Sequence, residues 1–399
     1  MTVPAGTPRS WLPAVLTAVP LVILFIAALT IPLAAARQMN LSKPETSGWL
    51  LALYGIPGLL SLVLTIRYRQ PLLLTGNIAV LIFVASLGEH LSYPEIVGAS
   101  IVAGAGVLGI SAFGLAGRLA AWVPPPIVFG LLAGAVLPFV TGIFTSLEGA
   151  PVLVGSTLLA FLIGLRILGK RLPAILPALA AGVAVAALTG QLGPLSPGLP
   201  LPVPSIISPV FSLHGIATAS PVLVVLILLQ SNLPSMIFLQ NQNYRPPERP
   251  INIASGVGTM VASLLGPTAV SLSFPATALA AGPDSGRPEL RHRSVYLASG
   301  VAVVIGLLAG IAADLPGLVP SQLLFVLAGL AVIPVLGNAL KQMSAGPLLL
   351  GPLFAFAISL SEISILGFGP FFWALIIGAG VSLLLERDEL KSLQSPSLK

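Results

Sequence analysis

Cysteine is absent from the 399 residues, and charge is scarce, at 8 % of positions. The first absence rules out disulfides, thiolate metal centres and cysteine nucleophiles, and says nothing about compartment. The second rules out an ordinary soluble domain, in which roughly a quarter of residues are charged. Only three histidines occur, and none sits in a cluster at metal-ligand spacing. There is no Walker loop, no His-Glu-x-x-His and no dinucleotide fingerprint. The sequence therefore shows no catalytic motif, calls for no metal or cofactor, and argues against ATP-driven work by this chain alone. Asp-rich or His-rich loops, the usual mark of a membrane enzyme acting on lipid, are missing too.

What is present is apolar. The hydrophobic fraction is 56 % and the mean hydropathy +1.03, so the solvent for this surface is lipid. Apolar runs of about 20 residues, each long enough to cross about 30 Å of hydrocarbon, recur along the chain. They predict fourteen segments, at 11–36, 47–66, 71–88, 94–116, 124–146, 150–167, 172–192, 219–240, 251–265, 267–282, 294–313, 318–340, 345–362 and 365–385. The first run exceeds a signal-peptide core and reads as a span.

Charge placement tests that count. With the N-terminus in the cytoplasm, Arg9, Arg67, Arg69, Arg118, Arg166, Lys170, Arg171, Arg245, Arg249, Arg287, Arg291, Arg293, Lys341, Arg387, Lys391 and Lys399 fall inside, and only Arg37 and Lys43 fall outside. This positive-inside bias explains the net charge of +6 by topology, without nucleic acid. Omitting segment 3 or segment 10 alone inverts the loops that follow it and spoils the split.

Those two segments are the short ones. Segment 3 begins Pro71-Leu-Leu-Leu-Thr75-Gly76-Asn77, and segment 10 begins Pro267-Thr-Ala-Val-Ser271-Leu-Ser273-Phe274-Pro275. Each is expected to cross as a short strand plus a half-helix, buried among other spans. Their prolines stand 196 residues apart (267 less 71), as do Pro124 and Pro320, Pro138 and Pro334, and Gly155 and Gly351. Segment 3 starts from the inner side and segment 10 from the outer. The expected fold is therefore an all-α polytopic membrane protein with an inverted repeat of seven plus seven segments. Paired, interrupted segments of this kind point to a transporter's binding site.

The residues at that point are Thr75, Gly76 and Asn77 from segment 3 and Ser271, Ser273 and Phe274 from segment 10. Gln230, Ser231 and Asn232 in segment 8 form the densest polar cluster within any span. The two half-helices are expected to expose free N–H groups and positive dipole ends, which favour a carboxylate with no buried cation. Gly76 permits close backbone approach, and Phe274 offers a ring face. Each residue also has a plainer reading: Thr75, Ser271 and Ser273 as helix caps, Gln230 and Asn232 as interhelical ties, Phe274 as packing. Titratable candidates for proton coupling are Glu89, Glu95, Glu148, Asp314, Glu362, His90 and His214, all at segment ends or in loops. A substrate carboxylate can also carry the proton itself.

Several runs carry a resemblance. Trp49 to Tyr54, Arg67 to Pro71 with Thr75, Asn232-Leu-Pro234, Asn243 to Pro247, Gly266 to Leu279, Gly282-Pro283-Asp284 and Arg291-His-Arg293 together resemble the benzoate transporter (BenE-type) family. That family is related in fold to nucleobase–ascorbate and sulfate-type anion transporters. Members often carry Ser-Gln-Asn-Leu-Pro in span 8 and a His and an Asn early in span 10; here the positions read Gln230-Ser231-Asn232-Leu-Pro234, Thr268 and Ser271. The carboxylates of nucleobase transporters in spans 8 and 10 are absent. The resemblance implies proton-coupled uptake of benzoate or a similar small aromatic anion across the inner membrane. It also implies a homodimer, and a core domain (1–119 and 194–315) working against a gate domain (120–193 and 316–399). Transport of an inorganic anion or a nucleobase, or an uncoupled anion channel on the same fold, is the alternative.

Overall fold

The structure, a computed structural model, describes residues 11–88, 90–167, 173–194, 201–202, 205–282, 285–361, 363, 365–366 and 368–394. Arg9, Glu89, Lys170, Arg171, Pro283, Asp284, Glu362 and Lys399 lie outside the described residues.

Helices occupy every expected segment. Leaving out short connectors, they are α1 (Leu12–Gln38), α2 (Lys43–Tyr68), α3 (Ile78–Leu87), α4 (Tyr93–Ala112), α5 (Pro125–Gly149), α6 (Pro151–Ile167), α7 (Ile175–Leu188), α8 (Leu213–Asn241), α9 (Glu248–Ser263), α10 (Phe274–Ala281), α11 (His292–Leu307), α12 (Ser321–Met343), α13 (Leu350–Leu360) and α14 (Pro370–Leu385). Six of them, α1, α2, α4, α5, α8 and α12, are long and apolar enough to cross a bilayer unaided; α11 with the stretch Ala309–Leu318, bent by 59°, makes a seventh among the described residues. The outside of the bundle is apolar: Leu59, Val63 and Ile66 on α2 and Leu159, Leu162 and Ile163 on α6 are all exposed. Such a surface is stable only against lipid.

The helix starts follow the sequence. Proline in the first turn opens α2, α4, α5, α10 and α14, where its missing N–H costs nothing. Capping boxes Ser42/Glu45 and Ser92/Glu95 begin α2 and α4. Irregular turns lie deep in three helices. Helix α1 breaks at Leu29, while α2 widens to π-helix at Leu51–Gly55 and α8 at Leu226–Asn232. Bulges of this type often mark functional sites.

Two packing groups emerge. Helices α5, α12, α13 and α14 pack on one another, with α6 beside α7; α4 packs on α8 and α9, and α11 on α1 and α2. Gly104 on α4 and Gly256 on α9 let two backbones touch, since a Cβ on either would stand 2.8 Å from the other's carbonyl oxygen. The groups meet where α12 lies on the second half of α1, and α5 on α3 and the π-helical turn of α8.

At the centre is a two-stranded antiparallel sheet, β1 (Leu74–Gly76) with β2 (Val270–Leu272), in register Leu74↔Leu272, Thr75↔Ser271, Gly76↔Val270. The strands begin 196 residues apart (270 less 74). Open sheet edges do not survive in hydrocarbon, and here helices enclose them. Hydroxyls and an amide from three helices take the outward N–H groups: Ser61 Oγ accepts from Leu74, Thr259 Oγ1 from Val270 and Asn232 Oδ1 from Leu272.

A carboxylate on a helix end stands elsewhere in the fold. Just past α14, the buried Glu386 accepts from the N–H groups of Leu349, Leu350 and Gly351 at the start of α13, at 2.6, 2.7 and 3.0 Å, and from the Ser382 hydroxyl at 2.6 Å. Burial pushes its pKa up, but the Ser382 hydroxyl and the three amides outweigh that and hold it below the usual carboxylate range. Its stabilising effect is thus complete above the unfolded value near about 4.3 and is lost as pH falls through the lower folded value. Glu386→Gln is expected to cost about 2 kcal/mol, read as a lower thermal midpoint in detergent at pH 7 and a difference from wild type that shrinks in acid.

Candidate binding site

The sheet delivers two half-helices, α3 and α10, whose N-termini are not alike. Asn77 caps α3: its Oδ1 accepts from Ala79 and Val80 N–H at 2.9 and 3.2 Å. Its Nδ2 donates to Ser231 Oγ at 2.7 Å and Ser271 Oγ at 3.1 Å, and Ser231 Oγ in turn donates to Gln230 Oε1 at 2.7 Å. One network therefore joins segments 3, 8 and 10, and the expected open amides of α3 are largely spent. At α10 the N-cap is Ser273, which makes no side-chain cap. Pro275 brings no N–H, and among the described residues Phe274 and Ala276 have no acceptor for theirs. The positive end of α10 is the open one.

Gly76 adds a further donor. The ladder runs through residues 73, 75 and 77, so the N–H groups of 74, 76, 270 and 272 face outward. Three of them have the partners named above. Gly76 has none among the described residues, whereas Leu272, its equivalent 196 positions on, is held by Asn232. A Cβ at Gly76 would stand 2.9 Å from the Leu53 carbonyl oxygen and 2.7 Å from Leu53 Cδ2, so only glycine fits.

A pocket of about 40 Å³ opens at this point, lined by Thr75, Gly76, Ile78 and Ser273, by Phe25 and Pro32 of α1, and by Leu53 and Tyr54 of α2. It holds roughly three water molecules. The lining is mostly apolar and contains no charged residue. Phe25 and Tyr54 meet edge to face, centroids 6.4 Å apart, and the Tyr54 hydroxyl is fixed on the Phe25 carbonyl at 3.1 Å.

The nine sequence-derived residues divide accordingly. Thr75, Gly76 and Ser273 line the pocket. Asn77, Gln230, Ser231 and Ser271 form the network behind it. Asn232 is fully buried, and both ends of its amide are taken: Oδ1 by Leu272 N–H, Nδ2 by Asn252 Oδ1 at 2.8 Å and Ser255 Oγ at 3.0 Å. Phe274 turns to Phe238, centroids 5.8 Å apart, and is not among the lining residues. The pocket's rings are Phe25 and Tyr54, neither of them among the nine, since each sits in an apolar run with no polar neighbour to mark a site. The proton candidates keep to the periphery: Glu148 and His90 are exposed, Glu95 belongs to a capping box, Asp314 pairs with Lys43, and His214 stacks on Phe368.

Asn232→Ala is expected to strand the Leu272 N–H in the interior and lower stability by about 3 kcal/mol. Ser273→Ala is expected to leave the thermal midpoint near that of wild type and weaken ligand binding in calorimetry. Equal loss of stability in both variants would contradict this division of roles.

The sequence profile of the family described as "Benzoate membrane transport protein" matches residues 8–384. The chain is 26 % identical to the "Benzoate membrane transport protein" of Acinetobacter baylyi over 346 residues, covering 86 % of this chain and 87 % of that one. It is 28 % identical to the "Inner membrane protein YdcO" of Escherichia coli over 358 residues, covering 88 % and 90 %. Among solved structures, the transmembrane domain of the cyanobacterial bicarbonate transporter BicA superposes with a TM-score of 0.54 at 17 % identity, over 95 % of this chain and 98 % of that one. The murine Solute Carrier 26 anion transporter Slc26a9, inward-facing, gives 0.62 at 13 %, over 96 % and 69 %. These two establish a shared fold. With a profile match over nearly its whole length, the chain belongs to the benzoate membrane transport protein family and is a multi-pass membrane transporter of the anion-transporter fold, not an enzyme.

Proposed function

We propose that the chain is a secondary transporter taking up benzoate or a closely similar aromatic carboxylate with a proton. The observation that carries this is the pairing of unsatisfied N–H groups at Gly76 and at the start of α10 with a cation-free pocket walled by Phe25 and Tyr54. Amides supply the charge complement for a carboxylate, and the rings suit an aromatic body better than a small inorganic ion. The benzoate name of the Acinetobacter relative supports the same substrate.

In this reading the chain crosses fourteen times, as two inverted repeats of seven with both termini in the cytoplasm of an inner membrane. The 196-residue spacing of β1 and β2, their antiparallel pairing, and the matching helix starts at Pro124 and Pro320 support it. The core (1–119 and 194–315) moves against the gate (120–193 and 316–399), and a homodimer is the working assembly. The pocket is smaller than a benzoate ring needs, so loading requires movement at the seam between α1 and α12. Among the described residues no Asp, Glu, His, Lys or Arg lines the pocket, and the Tyr54 hydroxyl is committed to the Phe25 carbonyl, which supports entry of the proton on the carboxylate itself.

The test is uptake of radiolabelled benzoate into proteoliposomes with an imposed inward proton gradient. The expected result is saturable accumulation above equilibrium that a protonophore abolishes. Non-saturating, gradient-independent flux would make the chain a channel; bicarbonate or nucleobase uptake without benzoate uptake would move it to the alternative substrates.

A further inference from the structure

On the side assigned to the exterior lies a second, larger cavity of about 780 Å³. Its walls come from the end of α1, the start of α2 and the chain between α11 and α12. The charge count left two cations outside, Arg37 and Lys43, and both line this cavity. The Arg37 guanidinium donates to the Pro316 carbonyl, and the Lys43 ammonium pairs with Asp314. Both partners belong to the chain leading into α12. Lys43 and Asp314 stay partly exposed, at 42 % and 24 % of their side chains, so an ion arriving from water reaches them. Asn40 and Thr46 add polar atoms to the wall. Among the described lining residues the cations outnumber the single carboxylate by two to one.

The cavity and the inner pocket share helix α1 as a wall. Pro32 lines the inner pocket and Ala36 the outer one, four residues apart on α1, a rise of about 6 Å. The walls of the two cavities therefore come within about one helical turn of each other along α1.

We propose that this cavity is the outer capture site for the carboxylate substrate, in which the substrate takes Lys43 from Asp314 while Arg37 steers it in. No bond changes; one ion pair replaces another. Asp314 is then a built-in competitor, occupying Lys43 when substrate is absent. This rests on the carboxylate reading above and adds where the anion first binds. It also gives the ion pair opposite-signed effects on affinity, which a structural strut cannot produce.

The experiment is uptake of radiolabelled benzoate by intact cells, with wild-type uptake established first. Absence of wild-type uptake would overturn the substrate reading, whereas everything below bears on the capture site alone. Lys43→Gln is expected to raise the KM about three-fold, the weight of an exposed ion pair, with Vmax unchanged, and Lys43→Arg to restore it. Arg37→Gln in the same wall is expected to raise the KM as well, and added salt to raise the wild-type KM. Asp314→Asn is expected to lower the KM. If Asp314→Asn and Lys43→Gln shift the KM in the same direction, or neither shifts it, the pair is a strut and the capture site is wrong.

Discussion

In hydrocarbon, a backbone amide without a partner costs several kcal/mol, and that constraint organises this molecule. Two segments give up helix at the centre of the bundle, at Leu74–Gly76 and Val270–Leu272. Neither strand is tolerable alone. Pairing them settles the ladder amides, and the outward ones require hydroxyls or an amide from elsewhere: Ser61 on α2, Thr259 on α9, Asn232 on α8. Ser61, Thr259 and Asn232 stand inside an otherwise apolar chain to meet that need.

The same constraint exposes function where it is left unmet. Asn77 closes α3 with its own side chain, whereas Ser273 leaves α10 open and Gly76 faces a pocket without a partner. A transporter benefits from such asymmetry. A fully satisfied site has nothing to offer an anion, and a fully unsatisfied one is too costly to fold. Glu386 on the N-terminus of α13 shows the same amide–carboxylate chemistry made permanent by a covalent tether. At α10 the carboxylate must come from outside, so it can also leave.

Much of this was legible in the sequence. Proline at 71 and 267 cannot continue a helix from the preceding residue, and the positive-inside rule needs both short segments to keep Arg and Lys on one side. Together these marked segments 71–88 and 267–282 as the interrupted ones, and the strands lie within their first six residues. The polar cluster at Gln230–Asn232 was equally visible as polarity inside a span. What could not be read was which polar atoms are already used. Asn232 and Ser273 look alike as candidates in one dimension, yet one amide is bonded at both ends in the interior and the other hydroxyl lines the pocket. That difference depends on Leu272, Asn252 and Ser255 arriving from distant segments. The pocket role of Phe25 and Tyr54 carries no such signal, because aromatics in apolar runs have no pattern of their own.

In the central pocket an aromatic carboxylate is expected to bind at amides, with no cation beside it. The most direct measurement is a structure of the protein with 4-iodobenzoate, whose iodine marks the ring by anomalous scattering. The expected result is an iodine peak beside Phe25 and Tyr54, with the carboxylate within hydrogen-bonding distance of Gly76 N–H and the first turn of α10, whether or not a second peak marks the outer cavity. An ordered ligand whose carboxylate sits on an arginine or lysine other than Arg37 and Lys43 of the outer cavity, with the Gly76 pocket empty, would overturn this.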